Sequence, residues 1–344
     1  MKLTNDLISS LKPSATLAVK TKASQLKAAG REIVNLGAGE PDFDTPDFIK
    51  DAAIEALRAG YTKYTPVPGL PALRSAIAQK ISAEIGSEYS TDNIVVTNGG
   101  KQAIHECLEV VLNPGDEVII PAPFWVSYPD QVLLAGGKPV VVQTGHAQGY
   151  KMTADQLEAA ITDKTRMLII NSPSNPTGAV YNEQELLAIA EVVRKHSLLV
   201  LSDEVYDKLL FPEAQYASIA SIAPDLKEQI ILINAFSKTY AMTGWRIGYA
   251  VAAAEIAKAI AKFQSQTTSN VSTIAQHGAI AALSGPQDFI AERNLVFNAR
   301  RKLAAEMIED TPGISLPFLP DGAFYLFIRI DEFLAGQSLS LIHI

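Results

Sequence analysis

Ile230-Ile231-Leu232-Ile233-Asn234-Ala235-Phe236-Ser237-Lys238 carries an apolar run straight into a lysine, and Arg246 follows eight positions later. A short continuous Ile/Leu run reads as a strand covered on both faces. A lysine leaving such a strand beside a serine hydroxyl can hold an aldehyde as a Schiff base, and a nearby guanidinium can hold a phosphate. In isolation a Ser-Lys pair reads as solvated surface. The segments upstream decide between the two readings.

Further apolar runs fall at 94–97, 117–120, 139–143, 167–171, 198–202 and 247–251, separated by longer amphipathic stretches. One stretch, 183–195, follows Asn182 as an N-cap with Gln184 and Glu185 in its first turn. Alternating strands and helices from about residue 46 to 300 predict an α/β sandwich around a mostly parallel seven-stranded sheet. Ligands on such sheets bind beyond the carboxyl ends of the strands. The two ends of the chain read differently. A helix over 15–29 leads into a short strand at 33–36, and a helix over 300–309 precedes a strand at 324–330. Residues 1–45 and 300–338 are therefore assigned to a smaller α+β domain built from both termini, with 46–299 as the large domain.

The chain has 344 residues, 48% hydrophobic and 19% charged, enough for a sizeable core and two domains. A net charge of −8 argues against a nucleic-acid surface. Residues 1–14 lack the apolar centre of a signal peptide, and no run reaches membrane-spanning length, so a cytoplasmic protein is expected. A lone cysteine, Cys107, lies in a helical apolar run and reads as core. The five histidines show no ligand spacing, and no metal site is expected.

Four segments accompany Lys238. Thr97-Asn98-Gly99-Gly100-Lys101 places a double glycine between a strand and a helix start, either a plain tight turn or an anion site at a helix N-terminus. Asn171-Ser172-Pro173-Ser174-Asn175-Pro176-Thr177-Gly178 is a loop whose prolines fix the pose of Asn175; the cis or trans state of Pro173 and Pro176 stays open. Asp203 follows an all-apolar strand, where it either caps a helix or pairs with a protonated pyridine nitrogen. Tyr206 could then donate to the ring oxygen. Trp125, in Pro123-Phe124-Trp125, is either structural or a stacking surface for a planar ring.

In order and spacing these segments resemble the fold-type I pyridoxal-phosphate aminotransferases of class I, nearest the bacterial aspartate and aspartate–prephenate branch. Lys12-Pro13-Ser14-Ala15-Thr16, Gly37-Ala38-Gly39-Glu40-Pro41-Asp42, Lys63-Tyr64-Thr65-Pro66 and Trp125-Val126-Ser127-Tyr128-Pro129 look like that branch. So does Ala241-Met242-Thr243-Gly244-Trp245-Arg246-Ile247-Gly248-Tyr249, and the likeness covers nearly all of residues 10–330.

The resemblance implies pyridoxal 5′-phosphate as cofactor and a ping-pong exchange of an amino group between L-aspartate or L-glutamate and 2-oxoglutarate or oxaloacetate. It implies that Lys238 forms the Schiff base and moves the substrate proton, that Asp203 keeps the ring nitrogen protonated, and that Asn175 and Tyr206 touch the ring oxygen. Trp125 stacks on the ring, while Gly100, Lys101, Ser237 and Arg246 surround the phosphate. Tyr64 is expected to reach the phosphate of a neighbouring subunit in a homodimer. Gly39, Trp125 and Asn175 face the substrate, with Lys101, Ser14 and Thr16 gripping a side-chain carboxylate. Ala235 stands where many relatives have a hydroxyl or glycine, a modest loss for cofactor binding.

Family members continue beyond the point where this chain stops, into a segment with the arginine that clamps the α-carboxylate. Residues 339–344, Leu-Ser-Leu-Ile-His-Ile, match the translation of a transposase-end adapter and are expected to be a non-native tail. Such a shortened chain is expected to be poorly soluble or inactive. Prephenate aminotransfer, or a lyase reaction on the same cofactor cage, are the alternatives. A regulator would need a basic DNA-binding module before residue 12, and a dehydrogenase would need a GxGxxG after an early strand.

Overall fold

The structure is a computed structural model that describes residues 3–11, 15–37 and 39–330. Seven strands form one sheet: β1 (Ile94–Thr97), β2 (Glu117–Ala122), β3 (Lys138–Gln143), β4 (Thr165–Asn171), β5 (Leu199–Asp203), β6 (Ile230–Ala235) and β7 (Gly248–Val251). Their spatial order is β1-β7-β6-β5-β4-β2-β3. The neighbours from β6 to β3 run parallel. β7 alone runs antiparallel, with Gly248 opposite both Thr97 and Ala235.

The apolar runs look continuous because alternate side chains enter two different cores. Val96, Ile119, Leu168, Ile170, Val200 and Leu232 point to one face, packed under the helices Pro71–Ile85, Glu183–His196 and Thr273–Ser284. Val95, Ile120, Met167, Ile169, Leu201 and Ile233 point to the other, under Gly100–Val111, Ser127–Leu134 and Ala254–Thr267. Cys107 is fully buried in this second core, as expected. β3 is the edge strand, half exposed, and tolerates Pro139 for that reason. Among the described residues no helix is long and apolar enough to cross a membrane.

Local signals held where they had a mechanism. Asn182 caps the Glu183–His196 helix through its side chain and completes a capping box with Glu185. Two expected strands are corrected. Residues 33–36 form no strand: Val34 and Leu36 stand in solvent with no pairing partner among the described residues. Among the described residues, 324–330 pair only through an isolated bridge, Ser315 with Arg329, and not through a ladder. The Asp288–Glu309 helix runs unbroken through residue 300, so a continuous helix joins the large part to the chain's last described residues. Lys12, Ser14, Ala38 and residues 331–344, including the expected tail, lie outside the described residues.

Candidate active site

The carboxyl ends of β1, β2, β4, β5 and β6 deliver Gly99, Trp125, Asn175, Tyr206 and Lys238 to one edge of the sheet. β6 runs on through Ala235, and the chain then makes a single helical turn, Phe236–Thr239. That turn aims the Lys238 amine at the Gly39 carbonyl, to which Nζ donates over 2.5 Å. The ammonium also lies 5.7 Å from the Phe324 ring and 5.9 Å from the Tyr206 ring. Desolvation brings its pKa down from 10.5 to about 8, with Arg246 pushing the same way and Glu40 and Asp203 opposing.

Asp203 is the last residue of β5 rather than the first beyond it, and is only 5% exposed. Tyr128 Oη donates to its Oδ2 over 2.6 Å and the Val205 amide to its Oδ1 over 3.3 Å. Its backbone carbonyl accepts from Asn171 Nδ2 over 3.0 Å, which squares up the neighbouring loop. Burial pushes the carboxyl up to about 6, against the pull of those donors and of Lys238. It is therefore ionised at neutral pH, the state needed to hold a proton on a ring nitrogen.

Both proline bonds in the Asn175 loop, Ser172-Pro173 and Asn175-Pro176, are cis. The Asn175 amide N–H donates to Asn171 Oδ1 over 2.7 Å, and its Nδ2 donates to Tyr325 Oη over 3.3 Å. Tyr206 Oη lies 2.7 Å from the same Tyr325 hydroxyl.

The double glycine builds an anion cradle. Gly99 has φ +83°, and a Cβ there would sit 2.6 Å from Arg246 Nη2. Glycine is needed on both counts. Arg246 donates to the Thr243 and Asn98 carbonyls, which holds its planar head over the first turn of the Gly100–Val111 helix. The opening amides of that helix have no intrahelical acceptor, and they add the positive end of its dipole. Lys101 lies 4.9 Å over the Trp125 ring; desolvation and then the Arg246 charge hold its pKa down. Trp125 in turn packs edge-on against Tyr128, at 5.4 Å between centroids.

These residues suit a phosphorylated pyridine aldehyde: a desolvated amine, a buried carboxylate, and a cation beside a glycine turn that no side chain could fill. Lys238, Asp203, Tyr206, Asn175, Gly39 and Arg246 are brought together, and Gly100, Lys101, Trp125 and the buried Ser237 adjoin them. Tyr64 is not among them: its side chain is 92% exposed. Ser14, and the side chain of Thr16, lie outside the described residues. Sequence reasoning missed Tyr128, Phe324 and Tyr325. Tyr128 carried a signal, being three residues from Trp125 at a helix start; Phe324 and Tyr325 open the expected 324–330 strand, and nothing local marks them as site residues.

Comparison with known proteins agrees. The family model for aminotransferase class I and II matches residues 31–340. The aspartate/prephenate aminotransferase of Cereibacter sphaeroides is 50% identical over 339 residues, covering 98% of this chain and 84% of that protein. The aspartate aminotransferase of Geobacillus stearothermophilus is 49% identical over 94% of this chain and 82% of its own. Among solved structures, the aspartate aminotransferase from Rhizobium meliloti superposes with a TM-score of 0.93 at 41% identity, covering 96% of this chain and 83% of that one. That of Thermus thermophilus with maleate gives 0.91 at 41% identity, over 95% and 85%. Fold, site edge and sequence thus converge, and the chain belongs to the class I and II aminotransferase family.

Proposed function

We propose that the protein transfers an amino group between L-aspartate or L-glutamate and a 2-oxo acid, 2-oxoglutarate or oxaloacetate, with pyridoxal 5′-phosphate as cofactor. The observation that carries this reading is Lys238: a desolvated amine with a pKa of about 8, acted on by the charges of Asp203 and Arg246 and flanked by two aromatic rings. The cofactor, when bound, supplies an aldehyde for the amino group and a ring that accepts the electrons of the broken Cα–H bond.

Arg246, Ser237, Lys101 and the Gly100 turn would hold the phosphate, bidentately in the case of Arg246. Asp203 presents a carboxylate at neutral pH and so stabilises a proton on the ring nitrogen. Tyr206 and Asn175 offer donors to the ring oxygen, and Trp125 a face for stacking. Lys238, once neutral, would take the proton from Cα of the amino acid and deliver it to the carbon of the cofactor's aldehyde; an amine near pKa 8 is partly neutral at working pH, as a general base must be. Gly39 faces the substrate, and Lys101 suits its side-chain carboxylate, with Ser14 and Thr16 as further candidates.

We further propose a cytoplasmic homodimer in which Tyr64 completes the partner's phosphate site, a role for which its exposed side chain is available. A second reading takes prephenate as the amino acceptor. It is favoured by the name of the 50% identical Cereibacter sphaeroides relative.

Absorption of the purified chain with pyridoxal phosphate, before and after L-aspartate, tests the proposal. A visible band that Lys238→Ala removes is expected, and its depletion by L-aspartate would carry the substrate assignment. A band indifferent to both L-aspartate and L-glutamate would reject the substrate assignment, and a band that survives Lys238→Ala would reject the lysine.

A further inference from the structure

Tyr325 is the point where three parts of the site meet. Its hydroxyl accepts from Asn175 Nδ2 at 3.3 Å and lies 2.7 Å from Tyr206 Oη. It also sits so close to Gly39 that a Cβ on that residue would be 2.5 Å away. Gly39 is the residue whose carbonyl receives the Lys238 amine.

The backbone leading into Tyr325 is fixed to the loops that carry its partners. Phe211 N donates to Asp321 O and Ala323 N to Leu209 O, at 2.9 and 2.8 Å, which ties it to the segment after Tyr206. Gly322 N donates to Gly178 O at 3.0 Å, which ties it to the segment after Asn175. Tyr325 is also packed edge-on against the Tyr206 ring, at 5.7 Å between centroids. A hydroxyl held on both sides in this way has few orientations open to it.

A phenol has one hydrogen to give and two acceptor positions. Were Tyr206 to donate to Tyr325, its single hydrogen would be used within the protein and lost to any ligand. The opposite polarity keeps it. We propose that Tyr325 is a positioning residue that accepts the Asn175 N–H and donates its own hydrogen to Tyr206 Oη, so that the Tyr206 hydrogen is directed into the site and strengthened as a donor. Consecutive bonds in one direction polarise one another, which sharpens the last donor in the row. This inference rests on the cofactor reading above, because the acceptor for Tyr206 is the ring oxygen.

The test uses Tyr325→Phe, which keeps the ring packing and removes only the hydroxyl, in two measurements. In the cofactor-free chain, thermal unfolding of Tyr325→Phe, Tyr206→Phe and the double variant forms a cycle. The expected result is that the two losses of Tm overlap in the double variant rather than sum. In the cofactor-loaded chain, Tyr325→Phe is expected to raise the pH midpoint of the visible band by about half a unit, since a weaker donor leaves the ring oxygen holding its neighbouring proton more tightly. Additive losses of Tm overturn the proposal. So do overlapping losses with an unmoved midpoint, which reduce the pair to a structural contact. A parent chain with no visible band at all rejects the cofactor reading instead, and the cofactor-free cycle then judges the Tyr206–Tyr325 bond by itself.

Discussion

The Tyr128 hydroxyl donates to Asp203 Oδ2 over 2.6 Å, so the first turn of one helix steadies the carboxylate at the end of the strand opposite. The bond opposes burial, which has lifted that carboxyl from 3.8 to about 6. Between those two values the folded chain holds a proton that the unfolded chain has released, and stability falls as pH rises through the window. Asp203→Asn abolishes the titration. At pH 8 the cofactor-free variant is expected to be more stable than its parent by on the order of 2 kcal/mol, read from urea midpoints, and no more stable at pH 3. Its turnover with cofactor is expected to drop roughly 10²- to 10³-fold. Equal loss of stability and turnover would contradict the assignment of Asp203 as a functional charge.

The exposed Tyr64 makes a prediction about pairs of impaired chains. Tyr64→Phe is expected to weaken cofactor binding roughly tenfold, the worth of one charge-assisted hydrogen bond. Lys238→Ala removes the amine. After subunit exchange in an equal mixture, about a quarter of the sites are expected to regain full cofactor affinity, the share set by random mixed dimers. Equilibrium titration of the mixture by absorbance reads this directly, and a mixture no better than the average of its components would place Tyr64 outside the site.

Gly99→Ala inserts a Cβ 2.6 Å from the Arg246 guanidinium at a φ of +83°. With ψ at 165° this backbone conformation is open essentially to glycine alone, and it costs about 1–3 kcal/mol for a residue with a side chain. The displaced guanidinium is expected to lower affinity for pyridoxal phosphate at least tenfold, while the same change at exposed Gly60, also at positive φ with open space around it, lowers only Tm. Unchanged cofactor affinity in Gly99→Ala would remove Arg246 from the phosphate site.

Glu106 is fully buried on the Gly100–Val111 helix, where only Gln102, one turn back, pulls against the cost of burying its charge. Burial pushes its pKa from 4.5 to about 8. The folded chain keeps the proton through that interval, so stability declines from about pH 4.5 to pH 8 and levels off above. Glu106→Gln is expected to raise the urea midpoint at pH 9, by roughly 2–4 kcal/mol of unfolding free energy, and to leave it unchanged at pH 4. A parent whose midpoint is level from pH 5 to 9 would show that Glu106 has found a partner.

Much of the sheet was legible before the structure because the two covered faces force Val, Ile and Leu into short runs, and each strand lies within two residues of its expected place. Lys238 and Asp203 were legible as candidates because each sets a charge just after an apolar run, and Asn175 because prolines fix it in a loop after one. Residues 33–36 and 324–330 misled because an apolar run signals a strand only where a partner strand exists, and partners are not local information. Tyr325 was invisible for a related reason. Its role comes from meeting Tyr206 and Asn175, and a tyrosine beside a phenylalanine reads as packing until those hydroxyls are seen to touch. Tyr64 was named only through resemblance, and its 92% exposed side chain carries no local mark of a role.

β1 has a single neighbour in the sheet, and that neighbour is β7. The ribosome therefore releases the first strand long before the one that seats it. Until Val251 has been made, the glycine turn after Thr97 has no ladder to fix it and no Arg246 to face. The anion cradle, whose glycine turn is written early in the chain, is among the last parts of the site to be installed.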